Sequence, residues 1–173
     1  MTSGTLTHTP SPATGHTQLR LRLKPQAPAT GYVDGAWWPR SRDLADELPA
    51  LAEVLAVRLG RIERVAYALS AWDATPRRLE VDGYRVRAEG FTYQDRNIIH
   101  VTGSNRGRIS LLVIPPEMNE TAGHDALMTA AHRGNADRPE DILGTVRLPA
   151  PRQAHEYSAQ RWESDGGLVH QLD

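Results

Sequence analysis

The sequence predicts an α+β fold, with an antiparallel meander sheet of about five or six strands and two main helices on one face. Three patterns predict this fold. Leucines recur with helical spacing from Leu44 to Leu59. Apolar and polar residues then alternate between Arg61 and Ile114, which is typical of half-buried strands. A second helical pattern follows at residues 121–132.

The chain of 173 residues is expected to have three parts. Residues 1–17 consist mainly of Thr, Ser, Pro, Gly and His, and we expect them to be disordered because they cannot bury enough apolar surface. Residues 18–143 are expected to form a single globular domain. Residues 144–173 are polar and acidic, and we expect an extended or disordered tail.

The composition excludes several classes of protein. The chain has no cysteine, which excludes disulfides, thiol catalysis and thiolate metal sites. It has no signal-peptide pattern and no apolar run near the ~20 residues that span a bilayer, so we expect a cytoplasmic protein without membrane contact. It also lacks the usual metal, nucleophile and phosphate-loop motifs, so no metal, cofactor or catalytic residue is assigned.

The first elements follow from local signals. Alternating leucines at residues 19–23 predict a strand. Asp34-Gly35 predicts a tight turn. The first helix is expected to begin at Ser41 as N-cap, to kink or split at Pro49, and to stop at Gly60.

Residues 77–87 form the clearest predicted hairpin. Its two-residue Asp82-Gly83 loop sets the strand register. The expected pairs are Val81 with Tyr84, Glu80 with Arg85, Leu79 with Val86, and Arg78 with Arg87. A second hairpin is expected to join residues 97–101 to 108–114, and a short helical turn is expected near residues 139–143.

Two adjacent tryptophans, Trp37 and Trp38, stand in the run 31–43. Neighbouring residues of an extended segment point to opposite faces, so one ring is expected to enter a core while the other is covered or used in binding. Partner binding would also use charged or aromatic residues close by, which are Asp34, Arg40, Arg42, Trp72 and Asp73. The alternative is that both rings have a structural role.

Arginines are predicted to gather on the sheet face that the helices leave bare. Arg78, Arg85 and Arg87 project from one side of the first hairpin, and Arg78 faces Arg87 as a like-charged pair. The other outward residues are expected to be Arg20, Arg22, Lys24, Arg64, Arg108 and His100. Such a face would bind an acidic protein, a phosphate-bearing ligand or nucleic acid. Alternatively it is solvated, or covered by the chain's own Glu156, Glu163 and Asp165.

Three functions are compatible with these residues. The first is a non-enzymatic binding or regulatory module that uses the Trp-Trp loop and the arginine-rich face. The second is nucleic-acid binding through the same face, although the overall pI of about 6.7 does not favour it. The third is a small-molecule enzyme with a pocket near Asp34, Arg40 and Trp72.

Several stretches together resemble a known family. They are Leu21–Pro28, Gly31–Asp43, residues 59–67, Trp72-Asp73, and Leu127-Met128 with residues 135–143. The chain is similar over residues 19–143 to an actinobacterial family catalogued as a domain of unknown function. The run Gly-Tyr-Val-Asp-Gly-Ala-Trp-Trp-Pro-Arg-Ser is the most specific part. The resemblance implies a single domain and brings no activity, substrate or catalytic residue.

Overall fold

The computed structural model describes residues 18–26 and 30–147. This part of the chain contains a seven-stranded sheet and three helices. In chain order the elements are β1 (Leu21–Leu23), β2 (Gly35–Trp37), α1 (Leu44–Leu59), β3 (Ile62–Ala68), β4 (Arg78–Val81), β5 (Tyr84–Phe91), β6 (Ile98–Gly103), β7 (Arg108–Val113), α2 (Glu120–Ala130) and α3 (Pro139–Arg147).

The sheet is mixed, with the strand order β1-β2-β7-β6-β3-β5-β4. The expectation of an antiparallel meander of five or six strands is therefore wrong in both respects, although the α+β class is confirmed. Strand β2 pairs in parallel with β7, and β3 pairs in parallel with β5. The chain leaves β2 through α1 and returns to the sheet at β3, and the β6–β7 hairpin later fills the gap between them. The helical crossover makes β2 and β3 parallel, and β7 takes the place beside β2. Strand β5 is parallel to β3 because the chain first reaches β4 at the sheet edge and then returns through the β4–β5 hairpin.

The helices lie on both faces of the sheet, which corrects the expectation of a single helical face. One core contains the buried leucines of α1 together with Trp37, Val65 and Leu111. A second core contains apolar residues of α2 and α3 together with Trp38 and Leu112. Because Leu111 and Leu112 are neighbours in β7, the two cores lie on opposite faces. We call these the α1 face and the α2 face.

Helix α1 differs in detail from the prediction. Asp43, and not Ser41, is the N-cap, since its carboxylate accepts hydrogen bonds from the amides of Ala45 and Asp46. The Ser41 hydroxyl instead hydrogen-bonds Glu47 at 3.0 Å. The helix continues through Pro49 because its leucine stripe is buried against the sheet. It ends at Gly60, as expected, where φ is 69°.

Both hairpins have the expected partners. Strands β4 and β5 pair in the predicted register around Asp82-Gly83, and Arg78 lies opposite Arg87. Strands β6 and β7 pair antiparallel, with Val101 opposite Ile109. Helix α3 runs from Pro139 to Arg147 and is longer than the short helical turn expected near residues 139–143.

Some expectations concern residues outside the described part. They are the disorder of residues 1–17, the state of the tail beyond Arg147, and the covering of the arginines by Glu156, Glu163 and Asp165. Within the described part, none of the helices has the length and apolar character needed to cross a membrane.

Candidate functional site

Trp37 and Trp38 point to opposite faces, and both are buried. Trp37 has no exposed surface and stacks on Trp72, with ring centroids 5.3 Å apart. Trp38 lies in the α2-face core and is 4% exposed. Neither ring is open to a partner, so the structure does not support a Trp-Trp loop as a contact surface.

The cover over Trp38 comes from α2 and from Arg20. A Cβ added to Gly123 of α2 would collide with the six-membered ring of Trp38, nearest at Cη2, so the bare glycine lets the helix lie directly on the indole. The Arg20 guanidinium carbon lies 3.7 Å from the centroid of the same ring. The indole N–H donates to the Pro115 carbonyl at 3.1 Å.

The cations of the β1 segment do not join the other arginines. Arg20 donates to the carbonyls of Trp38 and Pro39. Lys24 is 9% exposed, and its Nζ donates to the carbonyls of Thr30 and Asn135. Burial lowers the pKa of Lys24. These side chains hold the sheet edge and the following loop, so their role is structural.

The proposed pocket near Asp34, Arg40 and Trp72 is not formed. The Asp34 carboxylate accepts a hydrogen bond from the Ser110 amide at 2.8 Å. The Arg40 guanidinium donates to the Gln18 carbonyl on the surface. Trp72 lines a different cavity, so the structure does not bring the three side chains together around a substrate.

That cavity, of about 560 Å³, lies between the start of α1 and the helix pair α2 and α3, and Arg42 and Trp72 both line it. Arg42 forms a two-pronged ion pair with Glu117, at 2.8 and 3.0 Å, and donates to the Ala71 carbonyl. The hydrogen bond from Arg42 lowers the pKa of Glu117. The Asp73 amide donates to the Arg42 carbonyl. The predicted residues Arg42, Trp72 and Asp73 therefore meet here, with the guanidinium already occupied.

Four arginines form one row across the open half of the α2 face, at the end that α2 and α3 do not cover. Successive register pairs connect Arg108 to Thr102, Thr102 to Arg64, Arg64 to Arg87, and Arg87 to Arg78. The row crosses β7, β6, β3, β5 and β4. At the usual strand spacing of ~4.8 Å it is about 19 Å long. We call Arg108, Arg64, Arg87 and Arg78 the arginine row.

The carboxylates beside the arginine row do not balance it. Glu89 lies 2.9 Å from Arg64 and 3.7 Å from Arg87. Arg78 and Arg108 form no ion pair with any residue that the structure describes. One glutamate therefore lies within ion-pair distance of two of the four arginines, and the arginines at the two ends of the row have no carboxylate within that distance in the described chain.

Arg85 extends the arginine row towards the hairpin turn. It stands opposite Glu80 in the register, but within the described residues it has no partner within ion-pair distance. A concavity of about 590 Å³ lies between this hairpin and β3. Arginines line most of it: Arg64, Arg78, Arg85 and Arg87, with Glu63 and Thr102. The three predicted site residues of the hairpin are thus brought together with Arg64.

A second concavity of about 620 Å³, which we call the sheet basin, adjoins the arginine row. Its lining consists of Arg64, Ala66, Gly90, Phe91, Thr92, Tyr93, Gln94, His100, Thr102 and Arg108. Phe91 is 44% exposed and Tyr93 is fully exposed. These two aromatics are not among the site residues predicted from the sequence. The signal for them was the Phe91-Thr92-Tyr93 run, two aromatics without an apolar pattern around them.

His100 lies in the sheet basin beside the arginine row. Its Nδ1 is 2.8 Å from the Ser110 hydroxyl. Burial lowers the pKa of His100, and the nearby positive charge of Arg108 lowers it further, while Asp34 acts in the opposite direction. In the described part of the chain, histidine and carboxylate side chains form no cluster of three that could hold a metal ion.

Fold and surface together define a small α+β protein whose sheet is covered by helices on one face and on half of the other. The model of the family of unknown function DUF5994 matches residues 20–130. The chain belongs to this family. Comparison with curated proteins and with solved structures found no match.

Proposed function

We propose that the protein is a non-enzymatic binding module whose arginine row holds an anionic partner, an acidic protein or a phosphate-bearing ligand. The observation that carries the proposal is the arginine row itself. Like charges on adjacent strands destabilise a sheet unless an anion lies between them. Arginine is also the side chain best suited to carboxylate and phosphate, because its fork donates two parallel hydrogen bonds.

The exposure of the row supports binding from solvent. The Arg64 and Arg87 side chains are 51% and 67% exposed, so their guanidinium groups stay accessible despite Glu89. The row runs across the strands for about 19 Å, so an extended partner with repeated negative charge contacts more of it than a single small anion does. Arg85 adds a fifth cation next to the hairpin end.

The Trp-Trp run has a supporting role in this proposal. Trp38 and Gly123 seat α2 on the covered half of the sheet, and the helix pair reaches no further along the face. Binding therefore rests on Arg64, Arg78, Arg85, Arg87 and Arg108. The enzyme alternative loses its support, because in the described part of the chain Trp72 and Asp34 line separate cavities and Arg40 lines neither of them.

The test is binding of labelled inorganic polyphosphate and labelled polyglutamate, measured by fluorescence anisotropy at low salt with the full chain. The variant is Arg78→Gln/Arg85→Gln/Arg87→Gln. Exposed ion pairs contribute ~0.2–1 kcal/mol each, so we expect the triple change to weaken binding by about 3- to 100-fold. Added salt should weaken wild-type binding more steeply than binding by the variant.

The matched control is Arg22→Gln/Arg133→Gln/Arg138→Gln, which removes the same charge from exposed positions outside the row. If only net charge matters, both triple variants lose the same affinity, and the proposal is wrong. The proposal is also contradicted if the wild type binds neither polyphosphate nor polyglutamate at low salt.

A further inference from the structure

The sheet basin differs from the arginine row in that aromatic side chains form one of its walls. Phe91 ends β5 on the same face as Glu89, and Tyr93 follows two residues later. An exposed tyrosine or phenylalanine is unremarkable alone. Two together beside a cationic surface offer flat apolar faces next to groups that bind phosphate.

The segment that carries Tyr93 is held against the sheet. The Gln94 side-chain amide donates to the carbonyls of Ala66 and Ile98, at 3.1 and 2.9 Å. The Asp95 carboxylate accepts a hydrogen bond from the Asn97 amide at 2.8 Å. The backbone next to Tyr93 is therefore fixed while its ring stays in solvent. Holding this backbone in place lowers part of the ordering cost of binding.

The floor of the sheet basin is shallow and mixed in polarity. Ala66 has a short side chain that leaves space between the aromatic wall and the arginines. His100 and Thr102 add polar groups to the same floor, with His100 hydrogen-bonded to Ser110. Arg64 and Arg108 stand at the opposite border, at one end of the arginine row.

We propose that the sheet basin binds a nucleobase against Phe91 and Tyr93 while the attached phosphate lies on Arg64 and Arg108. The ligand class is a nucleoside phosphate unit, either free or within a single strand. This inference rests on the proposed function, because it uses the same arginines and names the anion they hold. An acidic protein offers the charge without the planar base, and so uses only the arginine row.

The experiment compares a short oligothymidylate with an abasic phosphodiester of the same length, using the full chain. The wild type should bind the oligothymidylate more tightly. Tyr93→Ala should remove that preference, lowering oligothymidylate affinity by about 5- to 100-fold and leaving abasic affinity unchanged, because stacking involves only the base. Tyr93→Phe should retain the preference. Tyr32→Ala, at an exposed aromatic outside the basin, is the matched control.

The outcomes distinguish failure of the nucleobase inference from failure of the anion-binding function. Equal wild-type affinity for the two probes overturns the nucleobase inference and leaves the anion-binding function standing. Absence of binding to both probes and to polyphosphate and polyglutamate overturns both. If thymidine monophosphate displaces the oligothymidylate, the inference is supported and the ligand is assigned as a free nucleotide. Base-dependent binding of the oligothymidylate that the monophosphate does not displace supports it and assigns a single strand.

Discussion

The two halves of the α2 face differ in their side chains and in their cover. On β2 and the end of β7 the face presents apolar residues, including Ala36 and Leu112, and α2 and α3 bury them. On β3, β5 and β4 it presents Arg64, Arg87 and Arg78, and no helix of the described chain lies over them. Helices cover the apolar half because only that half gains free energy from burial. The open half therefore stays uncovered because its own residues are charged.

The largest expected effect comes from breaking the covered half. Trp38→Ala should lower the free energy of unfolding by about 3–5 kcal/mol, because it leaves a cavity beneath α2 and removes the ring under Arg20. Urea denaturation measures the loss. Tyr93→Ala in the open half should change stability by less than about 0.5 kcal/mol. Equal losses in the two variants would contradict the division into a packed half and an open half.

A smaller effect is expected from overfilling the same contact. Gly123→Ala places a methyl group against the Trp38 ring and should cost about 1–3 kcal/mol, although alanine favours helix over glycine. Thermal denaturation shows whether the substitution lowers or raises the stability. Gly144→Ala in α3, where an added Cβ has no neighbour within 4 Å, is the control and should be neutral or stabilising. A stabilising Gly123→Ala would show that α2 does not rest on the indole as described.

Structural features that depend only on residues close together in the chain could be predicted from the sequence. The Asp82-Gly83 turn fixes the register of β4 and β5, so the opposition of Arg78 and Arg87 follows directly. Alternation along an extended segment likewise places Trp37 and Trp38 on opposite faces. Both predictions were confirmed because they need no knowledge of distant pairing.

The pairing of strands that are far apart in the sequence could not be predicted in the same way. Nothing near Gly35 in sequence indicates that β2 lies beside Leu111 of β7, and this parallel pairing brings together Ala36 and Leu112 in the core on which α2 packs. The β1 cations were predicted to join the arginines, but α2 packs at that end and Lys24 bonds to carbonyls. The sheet basin was missed since Phe91 and Tyr93 meet the arginines only through pairing of β5 with β3.

Within the open half, the like-charged pair at the end of the arginine row offers a finer test. Arg78→Thr removes the repulsion with Arg87 and should stabilise the protein by about 0.2–1 kcal/mol while weakening polyphosphate binding. Arg85→Thr is the matched control on the same hairpin, because Arg85 faces Glu80 and its removal should not stabilise. Urea denaturation of both variants gives the comparison. If Arg78→Thr is less stable than the wild type, charge repulsion between Arg78 and Arg87 does not destabilise the unliganded protein.

His100 lies in the open half, in the sheet basin and against Ser110 of the sheet. Burial and the charge of Arg108 lower the pKa of His100 below its ordinary value of 6.5. Between the folded and unfolded pKa values the unfolded chain binds more protons, so stability rises with pH across this window. The contribution is present above pH ~6.5 and is lost as the pH falls through the folded pKa. His100→Gln should therefore lose less stability than the wild type between about pH 7 and pH 5.

Thermal denaturation across this range measures the effect, with His124→Gln, at an exposed position of α2, as the control. A bound phosphate near Arg108 should favour protonated His100, so polyphosphate should reduce the wild-type loss of stability at low pH. If polyphosphate reduces the low-pH loss of stability equally in His100→Gln and in the wild type, the protonation of His100 is not coupled to anion binding by the arginine row. The open half would then bind anions through its arginines alone.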